Sequence, residues 1–420
     1  MNSMLHRILP LLLCLMLVLP GLAQAEAEAS PTDALTLDMT TDTLKQEVTV
    51  KSFVDGDTTH FYVPEDVNVS GVLKARYLGI DTPESTGKIE EYGKAASRYT
   101  RETLESAESI IIESDDAHWN LDSTGDRYLV WVWYKAPGAS TYRNLNVELL
   151  EQGLAIAKSA MQNRYGDTCM AAIAAAKENK RGVYSGKPDP DFYYGDAIEL
   201  TLKELRCDPD AYNGKKVAFS GVITMNDQNS VYVESYDPET DRTYGISVYY
   251  GFGLSGTGLD ILSVGNESRI VGTVQYYEAG GTWQVSGLTY RMMKPDDPGN
   301  IQKLSEGHSP TWTPVTPAEF TSEVTLTTED ATRTFTWADL AMATTVSLQD
   351  LTVTAAEAEA SGALDLTCQA DGASILIHSV PLGADPADLI GKQISVRGIV
   401  DRFGDTYQIK VFIADHVTIN

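Results

Sequence analysis

Cysteine is scarce in this sequence: four in 420 residues, at positions 14, 169, 207 and 368. Cys14 sits inside an N-terminal apolar run, and the other three are odd in number and widely spaced. That pattern excludes a disulfide framework and a zinc-binding pattern. It leaves a single Cys169–Cys207 bridge as the alternative to three unpaired thiols. Basic charge is short as well, with 32 Lys and Arg against 59 Asp and Glu and a net charge of −27. Phosphate contacts draw on Lys and Arg, so the whole-chain balance speaks against a nucleic-acid partner. Long apolar runs are missing after the first one, which leaves no later candidate for a membrane-spanning helix.

The first run, Ile8 to Leu19, follows the short basic segment MNSMLHR and precedes the small residues Ala23-Gln24-Ala25. This order reads as a secretory signal peptide over residues 1–25, cleaved after Ala25, and predicts an exported, soluble mature protein. Leucines rather than small residues precede Cys14, which disfavours a lipid anchor. Residues 26–47 are polar and acidic with little periodicity and read as a flexible lead-in.

The negative charge is unevenly spread. Residues 48–187 hold 16 Lys and Arg against 20 Asp and Glu, whereas residues 188–420 hold 14 against 33. The first segment alternates strand patterns (VTVKSFV, HFYV, LKARYLGI, IIIES, RYLVWVWY) with helical ones, in which Ala95, Tyr99 and Leu104 share a face. Five strands with helices outside suit a small barrel. After a linker at 188–197, two β-rich blocks follow at 198–294 and 321–420, separated by a proline-rich linker at 295–320. Both blocks close with a strand ending in Gly and a β-branched residue, then a turn and an aromatic-containing strand. The predicted fold class is therefore mainly β with helices: a five-stranded α+β barrel followed by two further barrels.

Chemistry concentrates in two short stretches of the first segment, DGDT at 55–58 and RYLGIDTPES at 76–85. Asp57 and Asp81 stand at strand ends, where two carboxylates can converge on one hard cation through oxygen ligands. Outside the cell calcium is the ion that suits them. Glu84 follows Asp81 by three residues, past Pro83, and can face a metal-bound water. Arg76 and Arg127 can hold phosphoryl oxygens, since guanidinium forks match phosphate geometry. The bland alternative is a solvated strand end with ordinary turn carboxylates.

DGDT, an arginine five before DTPE, a helix opening on EYG, DR before an apolar strand, and N-x6-GLA occur here in that order. Over roughly residues 48–187 this resembles the staphylococcal nuclease (thermonuclease) family. The resemblance implies an OB-fold barrel and an endonuclease that hydrolyses DNA or RNA and leaves 3′-phosphates. It also implies calcium held by Asp57, Asp81 and the carbonyl of Thr82, water activated by Glu84, and phosphate bound by Arg76 and Arg127. The segment DSTGDRYL carries one extra residue relative to the family pattern, so Arg127 is aligned by its place two before Leu129. The family's nucleotide-flanking tyrosines fall on Ser159 and Met161, which puts base stacking in doubt; Tyr165 is either a substitute or a surface tyrosine.

Neighbouring residues have structural readings. Asp55 shapes the DG turn, His60 is an exposed residue of an alternating strand, and Asn146 caps a helix or pins its loop. The two later blocks are OB-like, and the first carries Tyr232, Tyr236, Tyr244, Tyr249, Tyr250, Tyr276 and Tyr277 as candidate stacking platforms. Because residues 48–187 contain every candidate catalytic residue, a truncation near Lys187 is expected to keep cleavage. The alternative function is a nuclease-like scaffold whose later modules bind nucleic acid, cell-surface polymer or protein.

Overall fold

The computed structural model describes residues 30–68, 70–251, 257–278, 280–288, 299–327 and 332–420. The segment read as a signal peptide and its cleavage site lie outside the described residues. Within the described part of the lead-in, a one-turn helix α1 (Pro31–Ala34) packs on the first barrel, and buried Thr32 donates through Oγ1 to Glu151 at 2.6 Å.

The first barrel is built from β1 (Lys45–Asp55), β2 (Thr58–Tyr62), β3 (Val72–Tyr77), β5 (Ser109–Glu113) and β6 (Tyr128–Lys135), with the two-residue strand β4 (Ile80–Asp81) between β3 and β5. The order around it is β1-β2-β3-β6-β5, closed by antiparallel β5 on β1, with β3 and β6 parallel. Alternation directs its core: along β3, Leu73, Ala75 and Tyr77 point inward while Lys74 and Arg76 point out. Strand β6 is buried on both faces because its outer side is covered by helix α3 (Leu145–Glu151), which follows the two-residue strand β7 (Arg143–Asn144), and by neighbouring segments. Helix α2 (Gly93–Ser106) buries Gly93, Ala96, Thr100 and Leu104, one step round from the face expected through Ala95. Two residues past α3, the turn at Gly153 leads to β8 (Ile156–Ala157), which pairs with β4, and then to helix α4 (Gly166–Glu178).

The chain continues through residues 188–197, which run along the first barrel: Asp189 is buried and accepts from the Tyr92 N–H at 2.6 Å. Strand β9 (Ile198–Glu199) then leads into a second barrel of β10 (Lys216–Asn226), β11 (Ser230–Asp237), β12 (Arg242–Tyr249), β13 (Glu267–Tyr277) and β14 (Thr282–Ser286). Strand β15 (Gln302–Ser305) adds to β13. After β16 (Thr313–Pro314) and the hairpin β17 (Glu323–Thr327) and β18 (Thr332–Thr336), a third barrel uses β19 (Thr345–Ala358), β20 (Leu364–Ala370), β21 (Ala373–Val380), β22 (Gln393–Phe403) and β23 (Thr406–Lys410). Both repeat the order of the first: β10-β11-β12-β14-β13 and β19-β20-β21-β23-β22, each closed first-to-fourth, each with its third and fifth strands parallel. The fold is thus mainly β, an OB-type barrel with helices followed by two OB-like barrels. The three barrels have separate cores, and Cys169, Cys207 and Cys368 are buried, unpaired, one in each.

Candidate active site

The turn from β1 to β2 brings the first carboxylates together. β1 carries an irregularity between Phe53 and Asp55, which tightens its twist just before the turn. The Asp55 carboxylate accepts from the Asp57 N–H at 3.2 Å, so Asp55 shapes the turn. Gly56 is required by packing: a Cβ there would stand 2.8 Å from the Ala96 Cβ and 2.9 Å from Thr82. Helix α2 seals the contact, since buried Thr100 donates from Oγ1 to the Gly56 carbonyl at 2.6 Å.

The β2–β3 register sets Thr58 opposite Arg76, so the outward arginine of β3 lies beside the turn. Arg76 reaches Asp57 Oδ1 through Nη1 at 2.6 Å and Asp81 Oδ1 through Nη2. One guanidinium therefore bridges the two candidate metal ligands. The Thr82 N–H adds a bond to Asp57 Oδ2 at 2.8 Å, and Thr58 Oγ1 donates to Oδ1 at 3.1 Å. Asp57 is 1% exposed. Burial pushes its carboxyl upward and the neighbouring Asp55 adds to this, while Arg76 opposes. Burial also raises Asp55. Charge is held here against a desolvation cost, which a bound cation would relieve.

Glu84 lies three residues past Asp81, exposed as a residue. Desolvation of its carboxyl and then the charge of Asp57 push it above the ordinary carboxylate range, again opposed by Arg76. Its backbone is held within its own loop: the Glu90 N–H donates to the Glu84 carbonyl at 2.9 Å. A Cβ on Gly93 would come within 2.1 Å of that same carbonyl, so helix α2 can begin here only with glycine.

Arg127 is placed by the parallel pairing of β3 and β6, which sets Leu129 beside Arg76. It is held by Asp122, through Nη2 at 2.6 Å and Nε at 2.8 Å, and makes no bond to the other five candidates. The structure thus joins Asp57, Arg76, Asp81 and Thr82 directly, couples Glu84 to them through charge, and leaves Arg127 on a separate tether.

Several residues differ from expectation. Asn146 pins rather than caps: fully buried, it accepts from the Val132 N–H at 2.9 Å and donates to the carbonyls of Leu78 and Val130. The cap of α3 is Asn144, which accepts from the Val147 N–H at 3.0 Å. Tyr165 is half-buried rather than a surface tyrosine. Its ring packs edge-on against Trp131 and Trp133, and its hydroxyl donates to buried Glu113 at 2.9 Å. His60 is half-buried, with Nδ1 3.3 Å from Ser52 Oγ. Lys158 was not anticipated: the antiparallel pairing of Asp81 with Ile156 carries its ammonium to Asp81 Oδ1 at 3.1 Å. A lysine three residues after GLA has no motif of its own, so only the pairing reveals it.

Of the seven candidate stacking tyrosines, Tyr232, Tyr244 and Tyr250 are core residues, while Tyr236, Tyr276 and Tyr277 are exposed. Tyr276 and Tyr277 border a cleft of about 1180 Å³ shared by all three barrels. Most of its cations already have acidic partners, Arg98 with Asp191, Arg101 with Glu278, Arg402 with Asp405 and Lys410 with Asp227, while Lys94 meets the Asn213 carbonyl. The cleft is therefore poorly suited to gripping phosphates by charge.

These features define the first barrel as nuclease-like. A family model described as Staphylococcal nuclease homologue matches residues 74–186. The match takes in Arg76, Asp81, Thr82, Glu84 and Arg127 and begins beyond Asp57. No curated protein matches the chain. Among the described residues no helix is long and apolar enough to cross a membrane.

Proposed function

We propose that the protein is an exported, calcium-dependent nuclease that hydrolyses phosphodiester bonds of DNA or RNA and leaves 3′-phosphate ends. The observation that carries this reading is the bridge of Arg76 across Asp57 and Asp81, with Glu84 just beyond, in a segment similar to a nuclease family. Export rests on the signal-peptide pattern of residues 1–25.

Asp57, Asp81 and the carbonyl of Thr82 would hold the calcium. Hard oxygen donors suit that ion, and burial of Asp57 favours a neighbouring positive charge. Bound there, calcium supplies Lewis-acid polarisation of the phosphoryl group and its water. Glu84 takes the proton of the attacking water, a role that its raised carboxyl pKa suits. The water oxygen bonds to phosphorus and the 5′-oxygen leaves, so the phosphate stays on the 3′ side. Arg76 and Arg127 hold the phosphoryl oxygens and offset the charge that builds on them.

The test is a digest of single-stranded DNA by protein lacking residues 1–25, beside its Glu84→Gln variant, with Ca²⁺, Mg²⁺ or chelator. Cleavage with Ca²⁺, its loss in chelator and recovery on adding Ca²⁺ are expected, with Mg²⁺ a poor substitute. Glu84→Gln should lose on the order of 10²- to 10⁴-fold in rate. Full activity in excess chelator, or an undiminished Glu84→Gln rate, overturns the reading. Binding without cleavage in any condition supports the scaffold alternative.

A further inference from the structure

We infer that the second barrel is a working part of the nuclease site, and that Gln275 and Ser286 are positioning residues for Glu84. The inference rests on the nuclease reading above. Between Thr82 and Tyr92 the chain leaves the first barrel without regular secondary structure. Within that segment the first barrel anchors Thr82 through Asp57, while the Glu84 carbonyl is tied to the Glu90 N–H inside the loop itself. The stretch directly after Glu84 is held from the second barrel. Gln275 donates from Nε2 to the Ser85 carbonyl at 3.2 Å and accepts at Oε1 from the Gly87 N–H at 3.2 Å. Ser286 Oγ lies 3.0 Å from the Gly87 carbonyl and also contacts Gln275 Oε1. Among the described residues these are the hydrogen bonds that residues 85–87 make outside their own loop.

The clamp is built for the purpose of holding backbone. Gln275 is 6% exposed and Ser286 fully buried, so both would be costly polar residues without the loop as partner. They lie on β13 and β14, whose pairing sets Thr273 opposite Ser286 and Gln275 opposite Gln284. Gly287, at φ +78°, follows Ser286 and lets the Gly87 carbonyl approach, since a Cβ there would stand 3.2 Å from it. Two further ties keep helix α2 on the same barrel: Arg101 with Glu278, and Lys94 Nζ with the Asn213 carbonyl at 3.2 Å. The carboxylate of Glu84 is thus oriented by a peptide one residue away that another barrel fixes. A general base displaced by about 1 Å loses on the order of 10²-fold in rate. A truncation at Lys187 keeps every candidate catalytic residue but removes this brace, so on this inference it loses rate, contrary to the expectation from sequence.

The experiment compares full-chain protein with Gln275→Ala, Ser286→Ala, Glu84→Gln and the Gln275→Ala/Glu84→Gln pair, in single-turnover cleavage of single-stranded DNA with Ca²⁺. Gln275→Ala is expected to lower kcat about 10- to 100-fold with KM little changed. In the Glu84→Gln background the same change should cost almost nothing further, because the positioned group has lost its role. A wild-type kcat in Gln275→Ala, or a loss that adds fully to that of Glu84→Gln, overturns the inference. Hydrogen exchange supplies a readout independent of activity: the Gly87 amide should exchange at least 10-fold faster in Gln275→Ala than in the parent chain. If the parent chain cleaves nothing, the nuclease reading fails on its own, and the clamp still stands or falls on that exchange rate. Unchanged Gly87 exchange removes the clamp whatever the activity.

Discussion

The first and third barrels share one strand order and differ in what joins their third and fourth strands. In the third, residues 381–392 make the connection with a single helical turn, Pro386–Leu389. In the first, residues 78–108 make it, and they carry Asp81, Thr82, Glu84 and the fourteen-residue helix α2. The turn between first and second strands differs in the same sense when the first barrel is set against the second. Asp57 is buried against Arg76 of its own barrel, whereas Asp227 of the second barrel is half-exposed and pairs with Lys410 of the third at 2.6 Å. The barrel is a common support, and the chemistry comes from its connections. In the later barrels the corresponding charges are used for contact between modules: Glu234 of the second barrel accepts from the Thr345 N–H of the third at 2.8 Å.

If the site belongs to the first barrel because of its bridging arginine, removing the fork while keeping the charge should erase the distinction. Arg76→Lys is expected to lose roughly 10²- to 10³-fold in kcat, as loss of one oriented transition-state donor does. Arg127→Lys should cost about 10²-fold. A wild-type rate for the Arg127 variant, measured beside the Arg76 variant in the same digest, would mean that the tether to Asp122 is its whole role. Lys410→Ala, which removes one ion pair between the later barrels, should leave the cleavage rate within about threefold, as for an exposed ion pair.

A smaller effect concerns the support itself. Asn146 joins the exit of β3 to β6 with three buried bonds. Asn146→Ala takes the side-chain partner from the Val132 N–H and the Leu78 carbonyl, while the Val130 carbonyl keeps the Leu78 N–H, and should cost about 2–3 kcal/mol. Urea unfolding followed through the first barrel checks this, and an unchanged midpoint would show that water replaces the amide at no cost.

The smallest effect tests the unanticipated cation. Lys158 competes for the same oxygen of Asp81 that Arg76 occupies, from a largely exposed position. Lys158→Ala should tighten half-saturation by Ca²⁺ about 2- to 5-fold, the range of an exposed ion pair. Weaker calcium binding in that variant would place Lys158 on the side of the metal rather than against it.

Local chemistry made much of this protein legible in one dimension. Alternation along LKARYL separates the inward Leu73 and Ala75 from the outward Arg76, and the Asp-Gly-Asp turn and Pro83 end their strands by rules that act over a few residues. Those rules held in all three barrels, and the order of DGDT, DTPE, EYG and DR pointed to the same barrel that the structure closes. What the sequence could not carry were meetings between segments far apart in the chain. Tyr165 reads as a substitute stacking ring or a surface tyrosine, because nothing near it in sequence signals the Trp131 and Trp133 faces it packs on. Asn146 reads equally as a cap or a pin, and only the closed barrel decides for the pin and gives the cap to Asn144. Lys158 reaches Asp81 through a two-residue strand pair, too short to leave a pattern. Gln275 and Ser85 are separated by 190 positions, and their contact exists only after two barrels have each closed and then docked. Periodicity and turn propensity are set by neighbours along the chain, so composition and order determine them. Which backbone carbonyl a buried amide meets is decided by barrel closure and docking, which only the tertiary structure settles.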